Sequence, residues 1–172
     1  MNLWIRLLKV WLGSMTRPKL GVLDESVVRL RVWPNDLDVY GHMNNGRYLT
    51  IMDLGRIDLI WRTGMGRVTR QKRWLPLVAS VHMHYKKSLR PFRAFELHTR
   101  ILGWDKQWFY LEQYFTCEGK EMARGAVRGL FRSAGSSLPP QEVLDALGSK
   151  IHSPVVPAEV SFKPKRRTDG VA

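Results

Sequence analysis

The sequence predicts an α+β fold in which an antiparallel sheet wraps around one long central helix. Residues 27–33 alternate apolar and basic side chains, as a half-buried strand does, and a mostly apolar helical pattern follows over residues 48–61. Four more strand-like segments come after that helix. Because these strands follow one another instead of alternating with helices, their order favours an antiparallel sheet over a parallel one.

Length and composition indicate one folded domain with tails. The chain has 172 residues, of which 44% are apolar, and this is enough for one sizeable core but not for two. We therefore divide it into an N-terminal apolar helix with a linker (1–21), a central domain (22–135), and a short helix with a basic tail (136–172). The single cysteine, Cys117, excludes an intrachain disulfide and a cysteine-based metal cluster.

The formal net charge of +13 indicates a negatively charged partner. Nucleic acid, an anionic membrane surface and a phosphate-bearing substrate such as a coenzyme A ester all fit this charge, and so does a basic surface with no specific partner. Nucleic-acid binding is the least favoured of these readings, because no recognised binding motif accompanies the basic residues.

The N-terminal residues 3–12 are apolar apart from Arg6 and Lys9. The run is about half as long as a bilayer crossing requires, and it lacks the cleavage pattern of a secretory signal. Trp4, Trp11 and the two cations suit a helix that lies on a membrane surface. A terminal helix packed on the domain or on a second subunit is the alternative. Glycine and proline then predict a linker over residues 13–21.

The second half of the chain is predicted to be mostly strand. Strand-like patterns cover residues 75–85, 94–103, 107–117 and 121–131, and short polar turns separate the last three. A short helix is expected over residues 138–147, since prolines mark its start and a glycine its end. Residues 163–167 form a basic tail.

The segment 33–48 concentrates polar side chains between the first strand and the long helix. It contains Asp36, Asp38, His42, Asn44 and Asn45. Either asparagine is a suitable N-cap, and the helix start that follows presents unpaired backbone N–H groups and a positive dipole end. These groups would polarise a carbonyl oxygen, and a carboxylate just upstream would lie beside the same carbonyl. One short segment therefore offers both acceptor activation and a nucleophile or base.

Residues 36–48 read Asp-x-Asp-x-x-Gly-His-Met-Asn-Asn-x-x-Tyr. Together with the strand before it, and the long helix and four strands after it, this motif resembles the hot-dog fold thioesterases related to 4-hydroxybenzoyl-CoA thioesterase, nearest to the branch with the His-Met-Asn-Asn wording. The resemblance covers residues 27–132. It implies a hot-dog fold, hydrolysis of an acyl-CoA in lipid metabolism, and a homodimer or homotetramer with sites at the subunit interface. No metal or redox cofactor is expected, and coenzyme A enters only as part of the substrate.

By the same resemblance, Asp38 is the catalytic base or nucleophile, and the backbone amide of Asn45 polarises the thioester carbonyl. His42 is a third candidate, placed to orient Asp38, although a histidine that only satisfies loop carbonyls is the commoner case. Asn44 and Tyr48 are expected near the substrate, the first as a cap and the second as a packing or hydrogen-bonding residue. A cluster of cations between two strands is a candidate for binding the coenzyme A phosphates, with a solvated basic turn as the alternative. These cations are Lys86, Lys87 and Arg90, with Arg93 nearby.

Other polar residues have plainer readings. Asp36 is expected to pair with an arginine. Asp53, on the long helix, is a second candidate base, but Arg56 three residues later would neutralise it. His82 and His84 face the same side of a strand, yet no third ligand of suitable spacing accompanies them, so no metal site is expected.

The sequence therefore favours an acyl-CoA thioesterase in the cytoplasm, with association to the inner face of a membrane through residues 3–12 left open. The alternative is a non-catalytic acyl-thioester-binding or membrane-associated protein on the same fold, in which Asp38 only shapes its loop. A hydratase or dehydratase is less favoured, because the motifs that are typical of those enzymes on this fold are absent from the sequence.

Overall fold

The computed structural model describes residues 3–157, and within them the chain forms four α-helices and six strands. In chain order the elements are α1 (Leu3–Thr16), β1 (Ser26–Arg31), α2 (Asn45–Arg62), α3 (Met65–Lys72), β2 (Leu75–Tyr85), β3 (Ala94–Trp104), β4 (Phe109–Cys117), β5 (Lys120–Ser133), β6 (Ser136–Leu138) and α4 (Pro140–Ala146). The predicted basic tail at 163–167 lies outside the described residues.

The strands form one antiparallel sheet in the order β1-β3-β4-β5-β2, and β6 pairs with β5. Strands β1 and β2 lie at opposite edges, so the chain between them crosses the sheet as α2 and α3. The sheet curls around α2. The predicted antiparallel sheet around a long central helix is therefore confirmed.

Helix α2 packs against the sheet through side chains that are almost completely buried, among them Ile51, Met52 and Leu59. Each such side chain contributes roughly 1.5–3 kcal/mol by burial. Gly55 allows the helix to approach the sheet closely, because a Cβ there would lie only 2.3 Å from Thr99 Oγ1. This contact fixes the depth of α2 over the sheet, and with it the place where the helix begins.

Helix α1 is attached to the domain by a buried ion pair. The Arg6 guanidinium donates to Asp36 Oδ1 at 3.0 Å and to the Arg31 carbonyl oxygen at 3.0 Å, and both Arg6 and Asp36 are only 1% exposed. Arg47 Nε lies 3.1 Å from the same Asp36 oxygen. The predicted pairing of Asp36 with an arginine is confirmed. Arg6 therefore does not extend toward solvent or a membrane surface, and α1 packs on the domain, which was the alternative prediction for this helix.

The segment after α1 is also anchored. The helix continues to Thr16, four residues beyond its predicted end, and Arg17 then donates to the buried Asp58 Oδ1 at 2.5 Å. Leu20 N–H donates to the Arg62 carbonyl oxygen at 3.1 Å. Residues 17–21 thus run along α2 with fixed contacts. No helix within residues 3–157 is long and apolar enough to cross a membrane.

Two elements, α3 and β6, were not predicted from the sequence. Helix α3 has weak signals, since its N-cap position is Gly64 in a left-handed conformation and few of its side chains are apolar. It exists because Met65 is buried in the core. The closing helix α4 agrees with the predicted one, and Gly148, with φ +75°, follows its end.

Replacing Asp36 by asparagine is expected to destabilise the fold strongly. The substitution leaves the Arg6 guanidinium buried without a countercharge, which costs about 3–5 kcal/mol of unfolding free energy. Urea unfolding followed by circular dichroism measures this loss. The matched control is Glu96→Gln, which breaks the exposed pair with Arg29 and costs about 0–1 kcal/mol. Equal losses in the two variants would contradict the structural role of Asp36.

Candidate functional site

The loop between β1 and α2 is a tight hairpin closed by backbone hydrogen bonds. Leu37 and Met43 form an isolated antiparallel bridge. Inside it, Asp38 N–H donates to the His42 carbonyl oxygen at 2.8 Å, and Gly41 N–H donates to the Asp38 carbonyl oxygen at 3.1 Å. Gly41 has φ +76°, a conformation that favours glycine. The loop is therefore fixed by its own backbone, and it presents Asp38 from a defined position.

The Asp38 carboxylate is half-buried and has two different oxygens. Oδ1 accepts from the backbone N–H of Tyr40 at 2.9 Å and of His42 at 3.2 Å. Within residues 3–157, Oδ2 accepts no hydrogen bond. Oδ1 thus holds the loop, which is the role that the alternative prediction gave to this aspartate. Oδ2 remains available to a water molecule or an acyl carbon. His42 contacts Asp38 through its backbone, and in the described part of the chain its imidazole does not bond the carboxylate.

Within residues 3–157, the Asn45 backbone amide at the start of α2 has no hydrogen-bond acceptor. Asn44 is the N-cap, and its side-chain oxygen accepts from Gly46 N–H at 2.8 Å. Arg47 N–H donates to the Asn44 carbonyl oxygen at 2.9 Å. Asn45 is also exposed. The amide that the sequence singled out is the one still able to bind a ligand oxygen, at the positive end of the helix dipole.

Buried contacts support this helix start from below. Tyr48 is buried, and its hydroxyl accepts from Leu89 N–H at 3.3 Å. Met43 N–H donates to the Leu89 carbonyl oxygen at 3.0 Å, and the Tyr85 hydroxyl donates to the Asn45 carbonyl oxygen at 3.1 Å. In this chain Tyr48 therefore supports the loop and does not face an open surface. Sequence reasoning missed Tyr85 and Leu89. For Leu89 the only signal was an apolar residue inside a basic turn, and Tyr85, the last residue of β2, gave none.

The candidate phosphate-binding cations are not equivalent. Lys86 Nζ lies 2.6 Å from Glu121 Oε1, so its charge is already paired. Hydrogen bonds from Arg124, with a smaller contribution from Lys86, lower the pKa of Glu121 to about 2. Lys87 and Arg90 are exposed and form no ion pair within the described residues. They are the cations of this cluster that remain available to an anionic ligand.

A cavity of about 530 Å³ lies between the helices and the sheet. Its walls come from α1, α2, the first residue of α3 and strands β2 to β5, and all of its lining residues are apolar or glycine except Thr50, Asp53 and Arg56. Asp38 and Asn45 do not line it. The strand aromatics that line this cavity are Phe109 and Phe131. The sequence held no signal for the cavity itself, because its walls come from seven elements.

Asp53 and Arg56 form the pair that their spacing predicted. Burial lowers the pKa of Arg56, and its guanidinium also donates to Gln113 Oε1 at 2.6 Å. Gln113, fully buried, donates in turn to the Met52 carbonyl oxygen and to Thr99 Oγ1, each at 2.9 Å. The Asp53 charge is thus neutralised by its neighbour. Within residues 3–157, His82 and His84 belong to no group of three side chains able to hold a metal ion.

Comparison with known proteins finds a family match over most of the chain. Residues 32–159 match a family described as the thioesterase-like superfamily. Protein THEM6 of Danio rerio is 37% identical over 117 residues, which cover 66% of this chain and 58% of that protein. The chain therefore spans less than two thirds of the length of this relative.

Solved structures share the fold at low sequence identity. The probable thioesterase YbaW from Escherichia coli has a TM-score of 0.66 and 19% identity, with 70% of this chain and 95% of that chain covered. A thioesterase from Thermus thermophilus, complexed with coenzyme A and Zn, has a TM-score of 0.62 and 22% identity, with 74% and 94% covered. The predicted hot-dog fold is confirmed by these likenesses.

The stability contributed by Glu121 is expected to depend on pH. Its pKa in the folded protein is about 2, below the ordinary 4.5, so the contribution is complete above about pH 4.5 and disappears as pH falls toward 2. Glu121→Gln should therefore lower the free energy of unfolding by about 1 kcal/mol at neutral pH and by almost nothing near pH 2. Urea unfolding of both proteins across this range measures the difference. Glu118→Gln, which breaks the exposed pair with Arg93, is the control. A difference that does not change with pH would contradict the pairing.

Proposed function

The chain belongs to the thioesterase-like superfamily, and we propose that it hydrolyses an acyl-coenzyme A thioester to a free acid and coenzyme A. The observation that carries this proposal is that one short segment holds a carboxylate oxygen of Asp38 and a backbone amide of Asn45, neither of which has a hydrogen-bond partner within residues 3–157. The two groups come from one short hairpin and the helix that follows it. A base beside a polarised carbonyl is the arrangement that acyl transfer requires.

In the proposed reaction, Asp38 Oδ2 accepts a proton from a water molecule whose oxygen attacks the thioester carbonyl carbon. The carbonyl oxygen becomes negative and accepts from Asn45 N–H at the start of α2. The carbon–sulfur bond then breaks, and the proton held by Asp38 passes to the leaving thiolate. In the alternative order, Asp38 attacks the carbon directly, the carbon–sulfur bond breaks, and the thiolate leaves. Water then hydrolyses the resulting anhydride, which restores the Asp38 carboxylate and releases the acid and a proton that the thiolate takes up. Both orders need the same two groups.

Substrate binding is assigned to residues around this centre. Lys87 and Arg90 would bind the coenzyme A phosphates, because their charges are not already paired within residues 3–157. The complex of the T. thermophilus relative with coenzyme A supports this class of ligand. We propose that the reaction needs no metal or redox cofactor, since a carboxylate and a helix-start amide suffice for thioester hydrolysis.

We also propose that the working unit is a homodimer, which pairs further into a tetramer in some hot-dog proteins. Strand β2 is an eleven-residue edge strand, exposed along most of its length and with apolar residues such as Leu75 and Leu77 at the surface. Such an edge pairs readily with a second chain. Antiparallel pairing of two β2 strands places the Tyr85 end of one chain, which contacts Asn45, beside the Leu75 end of its copy. The polar site of one subunit would then adjoin the cavity of the other.

A non-catalytic acyl-thioester-binding protein is the second candidate. It is favoured by the two loop amides that Asp38 Oδ1 binds, because these bonds alone give the aspartate a structural role. The outer face of α1 exposes Trp4, Ile5, Leu8 and Leu12, which would suit contact with a membrane surface in such a protein. A cytoplasmic location and peripheral association with a membrane both remain predictions.

Asp38→Asn is expected to abolish most thioesterase activity. The asparagine keeps the loop hydrogen bonds but has no basic oxygen, so kcat/KM should fall roughly 100- to 10,000-fold with little change in stability. Release of free thiol from a panel of acyl-CoAs measures the rate. Asp53→Asn is the matched control and should keep most of the activity. A large loss of kcat/KM in Asp53→Asn with a small loss in Asp38→Asn would indicate that Asp53, on α2, is the base. No turnover by the wild type, with acyl-CoA binding retained, would favour the non-catalytic candidate.

The dimer is expected to depend on the β2 edge. Leu75→Lys combined with Leu77→Lys places like charges at the proposed interface, so the mass in solution should fall from that of a dimer or tetramer to that of a monomer. Light scattering coupled to size exclusion measures this mass. Leu12→Lys, on the exposed face of α1, is the control and should leave the mass unchanged. A wild-type monomer, or the same mass in both variants, would contradict the proposed interface.

A further inference from the structure

The apolar cavity extends along α2. Its α2 lining runs from Thr50 to Ile60, and these ten steps of helix rise correspond to about 15 Å. The opposite wall comes from the sheet, with Pro76, Val127 and Phe131 among its residues. A cavity of this length accommodates an extended hydrocarbon chain, and it is much longer than a single aromatic ring.

The polar groups in the cavity wall are already satisfied. Thr50 Oγ1 donates to the Gly46 carbonyl oxygen at 3.1 Å. Arg56 is held by Asp53 and by Gln113. An apolar ligand would therefore be buried without breaking any of these hydrogen bonds. Loss of such hydrogen bonds is the main free-energy cost of filling a partly polar pocket.

Helix α1 supplies one wall of this cavity, through Leu3, Trp4 and Leu7. The family match begins at residue 32, so α1 lies before the part of the chain that the family shares. The helix is held in place by the buried Arg6–Asp36 pair and by the packing of Val10 on the domain. Trp4 is 73% exposed yet lines the cavity, so part of its surface faces the cavity and most of it faces solvent.

We infer that α1 is the outer wall of an acyl-chain pocket for linear aliphatic thioesters, and that Trp4 sets the preference for long chains. This inference rests on the proposed function, because the chain is the acyl part of the proposed substrate. A butyl group fills only a small part of this cavity, whereas a dodecyl chain extends along most of it and contacts more of its walls, including Trp4. A long chain covers the inner part of the Trp4 ring and loses that contact when the ring is removed.

The test uses thioethers of coenzyme A, which bind like the substrate but have no carbonyl to hydrolyse. Titration calorimetry compares S-butyl-, S-benzyl- and S-dodecyl-coenzyme A on the full chain. The wild type should bind the dodecyl compound most tightly. Trp4→Ala should weaken dodecyl binding about tenfold and butyl binding much less, since loss of part of a tryptophan contact has that size for a ligand that covers the ring. Trp4 is mostly exposed, so its removal should leave the unfolding midpoint almost unchanged.

The matched control is Leu8→Ala, on the same helix but outside the cavity lining. It should leave all three affinities unchanged. Equal dodecyl binding by wild type and Trp4→Ala, equal losses in Trp4→Ala and Leu8→Ala, or a wild-type preference for the benzyl compound would overturn the inference. Because the thioethers report binding alone, a protein with the expected chain-length profile but no thioester turnover would contradict the proposed function and leave the pocket assignment standing.

Discussion

One buried carboxylate, Asp36, connects the elements that surround the candidate site. Its oxygens bind Arg6 from α1 and Arg47 from the first turn of α2, and one of them also accepts from Trp33 N–H at 2.8 Å. A buried charge is tolerated only when it is paired and hydrogen-bonded, so these partners must be in place together. The position of α1, the path of the loop and the start of α2 therefore depend on one another.

The chemistry follows from this constraint. Asp38 is two residues after the buried carboxylate, and the Asn44 N–H donates to the Asp36 carbonyl oxygen at 2.8 Å. The base and the helix-start amide are thus tied to the same residue from opposite ends of the hairpin. The same ion pair holds α1 against the long cavity. A single buried cluster would align the hydrolytic groups and the wall of the acyl pocket, two functions that are separate along the sequence.

The sequence was sufficient for the features that local patterns encode. Helix α2 and the long strands follow from apolar periodicity, and the cap at Asn44 follows from the preference of helix starts for asparagine. Features that depend on residues far apart in the chain could not be predicted from the sequence. The burial of Arg6 was missed because a lone cation in an apolar helix reads as surface charge, and its partner is thirty residues away. The pairing of Lys86 with Glu121 and the cavity between helices and sheet depend likewise on contacts that only the folded chain creates.

The Arg6–Asp36 pair is expected to position Asp38 for hydrolysis, and a double-mutant cycle in kcat tests this role most directly. The cycle compares wild type, Arg6→Met, Asp38→Asn and the double variant with one acyl-CoA at saturation, after each has been shown to be folded. If Arg6 acts through Asp38, Arg6→Met lowers kcat in the wild-type background and has almost no further effect once Asp38 is replaced. Fully additive losses would contradict this role, because Arg6 would then act independently of the proposed base.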